Sequence, residues 1–317
     1  DEVLQFTREY FDIRIWSAPA TLANYALLGW FLGRGLPRIN LYLVVAGNLL
    51  NILLDLLFVI YWHWQVAGVA WATVISEYLV LLAGLSLVLK QNLSLLKQLS
   101  WYKLFSLQSF MSYLKFNRDI FFRTLFLLTC FSFFTISSAG FGEQVLAANA
   151  VLMNLQSFMA YVLDSIAHAV EVLIGKNYFR NKQSQLVAII RQSLKWCFVA
   201  GVLFSLLYMM LGEWIISLLT DIEKVQQTAS QYLIWLILSP VLSVWSYWFD
   251  GAYIGANQAK YMRNTMLFSM LGFFALYFLL QFAGNHGLWA ALMGLMLFRA
   301  LSMAYVAWRK QLWSPSV

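Results

Sequence analysis

Four polar side chains lie inside otherwise apolar stretches near the start of the chain, where they could hold a small cation or a proton. Asn51 and Asp55 are four residues apart, which places both on one face of a helix. Thr73 and Asn24 lie in the neighbouring apolar stretches, at depths from which they could meet that face. Oxygen ligands of this kind at Asp55, Asn51 and Thr73 suit a hard cation such as Na⁺, and an uncharged carboxyl can hold a proton instead. Hydrogen bonding that only joins helices is the alternative, and Glu77 is a further candidate without an assignable partner.

A second set of ionisable residues lies further along the chain and could line a cavity that opens to the cytoplasm. Asp164, His168 and Glu171 share one helix face, at spacings of four and three. Asp250 and Arg299 lie in two later apolar stretches. An ionisable residue inside a membrane costs about 2.5–3.5 kcal/mol on insertion scales, so each is a candidate for function. Buried ion pairs that only stabilise the fold are an equally open interpretation.

The elements that must position these side chains are membrane-spanning helices. Of the 317 residues, 62% are hydrophobic and 11% are charged, whereas a soluble domain averages about 45–50% apolar and about 25% charged residues. A helix needs about 17–25 mostly apolar residues to cross a bilayer. Nine such stretches are predicted, at 13–33, 40–61, 67–89, 119–139, 143–175, 192–212, 230–250, 265–283 and 287–308. We therefore expect an all-α polytopic membrane protein.

The loops between these stretches predict an orientation. Loops rich in Lys and Arg alternate with loops that have few or none, beginning with the basic loop 34–39 and the neutral loop 62–66. Because basic loops favour the cytoplasmic side, we expect a cytoplasmic C-terminus. Segment 91–118, in which lysines interleave with aromatic residues, is predicted to be an amphipathic cytoplasmic linker. The basic residues lie in short loops and not on one soluble face, so nucleic acid is not an expected partner.

Three predicted helices at each end of the chain share an ordered set of features. The first set is Pro19, Gly29-x-x-x-Gly33 and Gly68-Val69-Ala70-Trp71-Ala72, and the second is Pro240, Gly251-x-x-x-Gly255 and Gly287-Leu288-Trp289-Ala290-Ala291. Paired small residues permit close helix contact, and proline permits a kink. Parallel repeats of this kind occur in transporters. A complete repeat would need three more helices before Asp1, so we expect an N-terminal truncation.

The motifs that carry a family resemblance cover essentially the whole chain. They are Trp16-Ser17-Ala18-Pro19-Ala20, Asn24-Tyr25, Gly29-Trp30-Phe31-Leu32-Gly33, Asn51-x-x-x-Asp55, Gly68-Val69-Ala70-x-Ala72-Thr73, Glu77-Tyr78, Asn117-Arg118-Asp119-Ile120-x-x-Arg123-Thr124, Ala147-Ala148-Asn149-Ala150, Leu163-Asp164, Glu171 and Asp250-Gly251-x-x-Ile254-Gly255-Ala256. With them the chain resembles the MATE family of multidrug exporters, in its DinF-like branch.

The resemblance implies twelve helices in two six-helix lobes, of which this chain is similar to helices four to twelve. Residues 1–90 would form the second half of the N-terminal lobe, and 119–317 the C-terminal lobe. The family exchanges amphipathic, often cationic organic compounds for H⁺ or Na⁺. Its coupling residues match Asn24, Asn51, Asp55 and Thr73, whereas its first-helix aspartate has no match here.

The resemblance also implies a location and partners. We expect a monomer in the inner (plasma) membrane of a bacterium, with the lipid bilayer and drug-like small molecules as partners and no cofactor besides the coupling ion. No Walker A loop, His-Glu-x-x-His or Gly-x-Ser-x-Gly motif is present, so an enzyme is not expected. A lipid-linked precursor flippase and a non-transporting scaffold are the alternatives. The flippase should have several mid-membrane cations, of which Arg299 is the clearest here, and the scaffold has no need of the Asn51, Asp55 and Thr73 cluster.

Overall fold

The structure, a computed structural model, describes residues 2–97, 107–178 and 183–312. These residues form ten α-helices and no strand. The helices are α1 (Glu2–Arg14), α2 (Ala18–Gly33), α3 (Pro37–Asp55), α4 (Gln65–Lys97), α5 (Leu107–Ala139), α6 (Glu143–Tyr178), α7 (Gln183–Leu219), α8 (Glu223–Gly255), α9 (Ala259–Leu280) and α10 (Asn285–Arg309). Short 3₁₀ turns at Ile15–Ser17 and Gln281–Ala283 and a π-helical turn at Leu56–Tyr61 complete the described elements.

Eight helical segments in the described part of the chain are long and apolar enough to cross a membrane. They are Pro37–Tyr61, Gln65–Lys90, Tyr113–Ala139, Glu143–Tyr178, Ser184–Leu219, Glu223–Gly255, Ala259–Ala283 and Asn285–Arg309. Each contains one predicted span, so the expected all-α polytopic class is confirmed. The first predicted span, 13–33, differs because the 3₁₀ turn Ile15–Ser17 interrupts it. The remaining α2 has 16 residues, fewer than the other eight segments have.

The chain divides into two compact units, unit 1 (Asp1–Ser106) and unit 2 (Leu107–Val317). Within the predicted linker 91–118, α4 continues to Lys97 and α5 begins at Leu107. The centre of that linker, residues 98–106, lies outside the described residues.

Unit 1 is built on α4. Helix α3 packs along it, and α1 and α2 pack on it as well. At the π-helical turn and just after it, the rings of Phe58, Trp62 and Trp64 form an aromatic cluster whose three centroid distances are each 5.1 Å. Gly68 packs against this cluster, and a Cβ there would be 3.1 Å from Phe58 Cβ. The aromatic cluster thus helps to fix the turn between α3 and α4.

Unit 2 has a larger core, centred on the contact between α6 and α8. A Cβ at Gly251 would lie 2.1 Å from the backbone oxygen of Ala167, and one at Gly255 would lie 2.4 Å from that of Glu171. The two helices can therefore approach this closely only because α8 carries glycine at both positions. Large buried side chains fill the rest of the core, among them Phe134, Leu152, Met159, Trp248 and Trp289.

The predicted repeat recurs in the packing, with one difference. Helices α3 and α4 pack together in unit 1, and α9 and α10 do so in unit 2. The expected close contact is observed at Gly251 and Gly255. It is absent at Gly29 and Gly33, where no described atom lies within 4 Å of the position that a Cβ would take. Both of these glycines are exposed on α2.

Candidate functional site

Asp55 is the last residue of α3 and has an unsatisfied carboxylate oxygen. Its Oδ1 atom is buried and has no hydrogen-bond partner among the described residues. The π-helical turn begins at the next residue, and its backbone hydrogen bonds span five residues instead of four. The amide of Trp62 donates to the oxygen of Leu57, five residues back, at 3.0 Å. Single π-helical turns within helices are frequent at functional sites. The buried oxygen and this turn therefore mark the same point of unit 1.

Asn51 and Thr73, two of the predicted site residues, meet across α3 and α4. Asn51 Nδ2 donates to Thr73 Oγ1 at 3.4 Å, and Thr73 Oγ1 donates to the oxygen of Val69 at 3.0 Å. Asn51 lies one helical turn before Asp55 and shares its face. Asn51 and Thr73 therefore meet where α3 and α4 pack together, and Asp55 lies one helical turn further along α3.

Asn24 has a different partner from the one that the sequence suggested. Its side chain is 6% exposed, and its Nδ2 atom donates to both the backbone oxygen of Glu77, at 2.9 Å, and Glu77 Oε2, at 2.7 Å. This bond joins α2 to α4. The sequence singled out each residue as a polar group in a span, but it did not pair them.

A cavity of about 170 Å³ lies between α2, α3 and α4. Its polar lining residues are Thr21, Asn24, Tyr25, Asn48, Asn51, Thr73, Ser76 and Glu77. Three predicted site residues are therefore in its wall, and Asp55 is not. The hydroxyl of Thr21 is buried in this wall without a described hydrogen-bond partner.

In unit 2 a buried carboxylate lies between two guanidinium groups. Asp250, on α8, accepts a hydrogen bond from Arg299 Nη2 of α10 at 2.5 Å and another from Arg123 Nη2 of α5. Arg299 is 2% exposed. Two of the predicted residues, Asp250 and Arg299, are thus brought together, and Arg123 joins them. This geometry is that of a buried ion pair that connects three helices.

The other three predicted residues of unit 2 lie on an exposed face of α6. His168 Nδ1 is 3.3 Å from Glu171 Oε2, and the His168 side chain is 67% exposed. Asp164 is also exposed and lies within electrostatic range of both His168 and Asp250, without a direct ion pair among the described residues. The five residues therefore form two separate pairs with Asp164 near each of them.

Sequence reasoning missed a buried polar network in unit 2. Asn149 and Asn285 exchange amide hydrogen bonds at 2.7 and 3.1 Å. Asn149 also donates to Ser138 Oγ at 2.8 Å and accepts from Trp289 Nε1 at 2.9 Å. The available signal was Asn149, a polar residue inside the predicted span 143–175, which needs partners when it is buried. The network joins α5, α6 and α10.

No cluster of three or more His, Cys, Asp or Glu side chains in the described part of the chain could hold a metal ion. Cys130 and Cys197 are both buried and unpaired. The oxygen-rich cavity of unit 1 remains the place where the described residues offer ligands to a small cation.

Comparisons with known proteins agree with this architecture. The MatE family model matches residues 120–279. DNA damage-inducible protein F of Escherichia coli (strain K12) is 43% identical over 312 residues, which cover 98% of this chain and 67% of that protein. Protein DETOXIFICATION 44, chloroplastic, of Arabidopsis thaliana is 27% identical over 314 residues, which cover 96% of this chain and 59% of that protein. The chain thus spans about two thirds or less of the length of these curated relatives.

A solved structure shows the same fold. The Vibrio cholerae MATE transporter VcmN in the bent form superimposes with a TM-score of 0.83 at 17% identity, over 96% of this chain and 69% of that chain. At this identity the likeness concerns the fold alone. The family model and the 43% identical relative together show that this chain belongs to the MatE family.

Proposed function

We propose that the full-length protein is a secondary active exporter that exchanges amphipathic, often cationic organic compounds for H⁺ or Na⁺. Membership in the MatE family supports membrane transport. The inner membrane of a bacterium, with a cytoplasmic C-terminus, is the proposed location, in keeping with the eight apolar helices and the Escherichia coli relative.

The observation that carries the coupling mechanism is the buried, unpartnered Oδ1 atom of Asp55. A buried polar atom without a partner is costly, and a carboxylate in a membrane span is more so. A bound proton would remove its charge, whereas Na⁺ would bind it with the oxygens of Asn51 and Thr73 as further ligands. Either event changes the charge and the hydrogen bonding of this face.

Transport would follow from competition between the coupling ion and the organic substrate. Loading Asp55 from outside favours one of two arrangements of the helices, and the ion can shift that equilibrium only by its difference in affinity for them. The 3₁₀ turn Ile15–Ser17 ends two residues before Pro19, interrupts the first predicted span and is the place where α2 can change direction.

The exposed face of α6 is proposed to line a water-filled, cytoplasm-facing cavity. Asp164, His168 and Glu171 lie within a candidate membrane span, and contact of all three with lipid would be costly. Asp250 and Arg299 form the buried ion pair behind that face. In this proposal Asp164, His168 and Glu171 lie on the substrate path, whereas the coupling ion binds in unit 1.

Efflux from proteoliposomes tests this function. The full-length protein would be reconstituted, and the movement of a cationic dye followed under separately imposed H⁺ and Na⁺ gradients. We expect gradient-driven dye movement that Asp55→Asn abolishes. The exposed Asp221→Asn serves as the matched control and should leave transport unchanged.

Either of two results would count against the proposal. Full gradient-driven export by Asp55→Asn would remove Asp55 from the coupling site. Dye that does not move under either gradient would refute dye export and direct the next experiment to lipid-linked precursors, the substrates of the alternative flippase.

A further inference from the structure

We propose that neighbouring ends of α5 and α9 bind the headgroup of an anionic phospholipid, with Lys115, Arg118 and Lys260 as the basic ligands of its phosphate. These side chains lie close to Tyr113 and Ala259, where two candidate membrane spans begin. The proposed orientation assigns both helix ends to the cytoplasmic surface. The inference goes beyond the proposed transport activity, because it concerns the membrane lipid and not the substrate or the coupling ion.

An ion pair between α5 and α9 forms the frame of this site. Arg263 Nη1 of α9 donates to Asp119 Oδ1 of α5 at 2.6 Å. The other two guanidinium nitrogens of Arg263 donate to Asn264 Oδ1 at 3.1 and 2.8 Å. Asp119 is 7% exposed. Each guanidinium nitrogen of Arg263 thus already has a partner within the protein, and this arginine positions the site rather than binding a ligand.

Arg118 is held more loosely by the same carboxylate. Its Nη2 atom is 3.4 Å from Asp119 Oδ1, whereas a strong charge-assisted hydrogen bond measures about 2.7–2.9 Å. The Arg118 side chain is 57% exposed, and its other guanidinium nitrogens have no hydrogen-bond partner among the described residues. Arginine is a preferred partner of phosphate groups. Arg118 can therefore donate to a phosphate at the membrane surface while it stays beside Asp119.

Two lysines lie about one helical turn beyond this ion pair, toward the same surface. Lys115 precedes the aspartate of the pair by four residues on α5, and Lys260 precedes its arginine by three on α9. The helices pack together and run parallel, because Phe133 also contacts Phe273 further along both of them. The lysines are therefore at similar depth. Both are exposed, and no ion pair in the described part of the chain includes either one.

The charge at these helix ends identifies the partner. Asp119 is the only acidic residue in 107–122 and 256–267, two described segments that contain four basic residues. The net charge of the two segments is therefore +3. Basic residues next to a membrane span attract anionic lipid headgroups, whereas a zwitterionic headgroup has no net charge to offer. A phosphodiester bound here would link α5 to α9 at the surface, as the ion pair links them inside.

Lipid-dependent thermal unfolding of the purified full-length protein in detergent tests the site. Phosphatidylglycerol, which is anionic, would be titrated in parallel with phosphatidylcholine at constant pH and ionic strength. We expect the unfolding temperature to rise more with phosphatidylglycerol, because a ligand that binds the folded state stabilises it. Arg118→Gln should weaken the apparent affinity for this lipid about fivefold. Arg118→Lys keeps the charge and should retain most of that affinity.

A combined variant and a matched control sharpen the test. Lys115→Gln, Arg118→Gln and Lys260→Gln together should weaken the apparent affinity roughly a hundredfold and remove the preference for phosphatidylglycerol. These substitutions change exposed side chains and leave the ion pair between α5 and α9 in place, so we expect the variant to fold. Lys176→Gln removes an exposed lysine near the end of α6 and should keep the full lipid response.

Three results would overturn the inference. The first is an equal response of the wild-type protein to both lipids, and the second is a full phosphatidylglycerol response in the combined variant. The third is a rise of the unfolding temperature with inorganic phosphate equal to that with phosphatidylglycerol, which would indicate a site for a free anion. A phosphatidylglycerol response that the combined variant loses and Lys176→Gln keeps supports the site, whether or not dye export is observed in proteoliposomes.

Discussion

Asp250 shows how a single buried residue can determine stability at the residue scale. Its carboxylate is the common acceptor for Arg123 and Arg299, whose side chains are 19% and 3% exposed. Removal of the shared partner would leave two guanidinium groups without their counter-charge in a membrane protein core. The cost of such a change exceeds the net benefit of the intact pair.

We therefore expect Asp250→Asn to destabilise the protein by about 3–5 kcal/mol, as breaking one side of a buried ion pair does. Thermal unfolding in detergent would measure the loss. Glu213→Gln, which removes an exposed carboxylate, should leave the unfolding temperature unchanged. Equal unfolding temperatures for Asp250→Asn and wild type would show that this pair does not hold α5, α8 and α10 together.

Residue types could be predicted from the sequence better than residue pairs could. The spacing of Asn51 and Asp55 predicts one helix face, and both residues do lie on α3, because such a prediction depends on a single helix. The pairing of Asn24 with Glu77 depends on how α2 and α4 rotate against each other, and no local spacing contains that information. The same holds for Asn149 and Asn285, whose mutual bonds span 136 positions of the chain.

Helix α8 illustrates the element scale, because its glycines determine how closely it approaches α6. Gly251 and Gly255 lie against backbone oxygens of α6, and added Cβ atoms would be within 2.1 and 2.4 Å of them. Their counterparts in the first repeat, Gly29 and Gly33, face open space in the described structure. The two halves of the repeat thus provide a natural comparison between packed and unpacked glycines.

Gly251→Ala should therefore force α6 and α8 apart and destabilise the protein by about 1–3 kcal/mol, as overpacking does. Gly29→Ala should be neutral or stabilising by up to about 1 kcal/mol, because alanine favours a helix over glycine. The unfolding temperatures of the Gly251→Ala and Gly29→Ala proteins, measured side by side in detergent, test this prediction. A larger loss for Gly29→Ala than for Gly251→Ala would contradict the packing described above.

Helix positions could be predicted from the sequence, whereas their ends often could not. The predicted span 287–308 differs from α10, Asn285–Arg309, by two residues at most. The predicted span 119–139 misses the first twelve residues of α5, which begins at Leu107. Hydropathy identifies the part of a helix that crosses the bilayer, but it does not detect polar turns that extend into water.

At the scale of the whole molecule, the alternation of basic loops predicts the direction in which each helix crosses the membrane. Single introduced cysteines test this orientation by maleimide labelling. The native Cys130 and Cys197 are 0% and 2% exposed and should contribute little background labelling. We expect Glu143→Cys to react with a membrane-impermeant maleimide in intact cells. Lys310→Cys should react only after the cells are permeabilised, since the C-terminus is expected in the cytoplasm.

Labelling of Lys310→Cys in intact cells, without labelling of Glu143→Cys, would reverse the proposed orientation. Both positions are exposed at helix ends, so a difference between them reports sidedness and not burial. The distribution of Lys and Arg is the sequence signal on which this expectation depends.

The repeat also explains where polar links between helices occur. In the first copy, Asn24 and Glu77 connect α2 with α4, and in the second copy Asp250 and Arg299 connect α8 with α10. The same pair of helices is joined each time, although the residue types differ. A neutral amide faces the carboxylate in unit 1, whereas a guanidinium faces the carboxylate in unit 2.

The π-helical turn after Asp55 contains one residue more than the corresponding α-helical turn would. Trp62 is bonded five residues back rather than four, so the turn holds more chain than an α-helix of equal rise. A shift of its bonds to the α pattern would rotate everything beyond it by about 100° around the helix axis, since an α-helix has 3.6 residues per turn. The rings of Trp62 and Trp64, which lie beyond the turn, would then move around the helix axis, whereas Asn51, which lies before it, would keep its position.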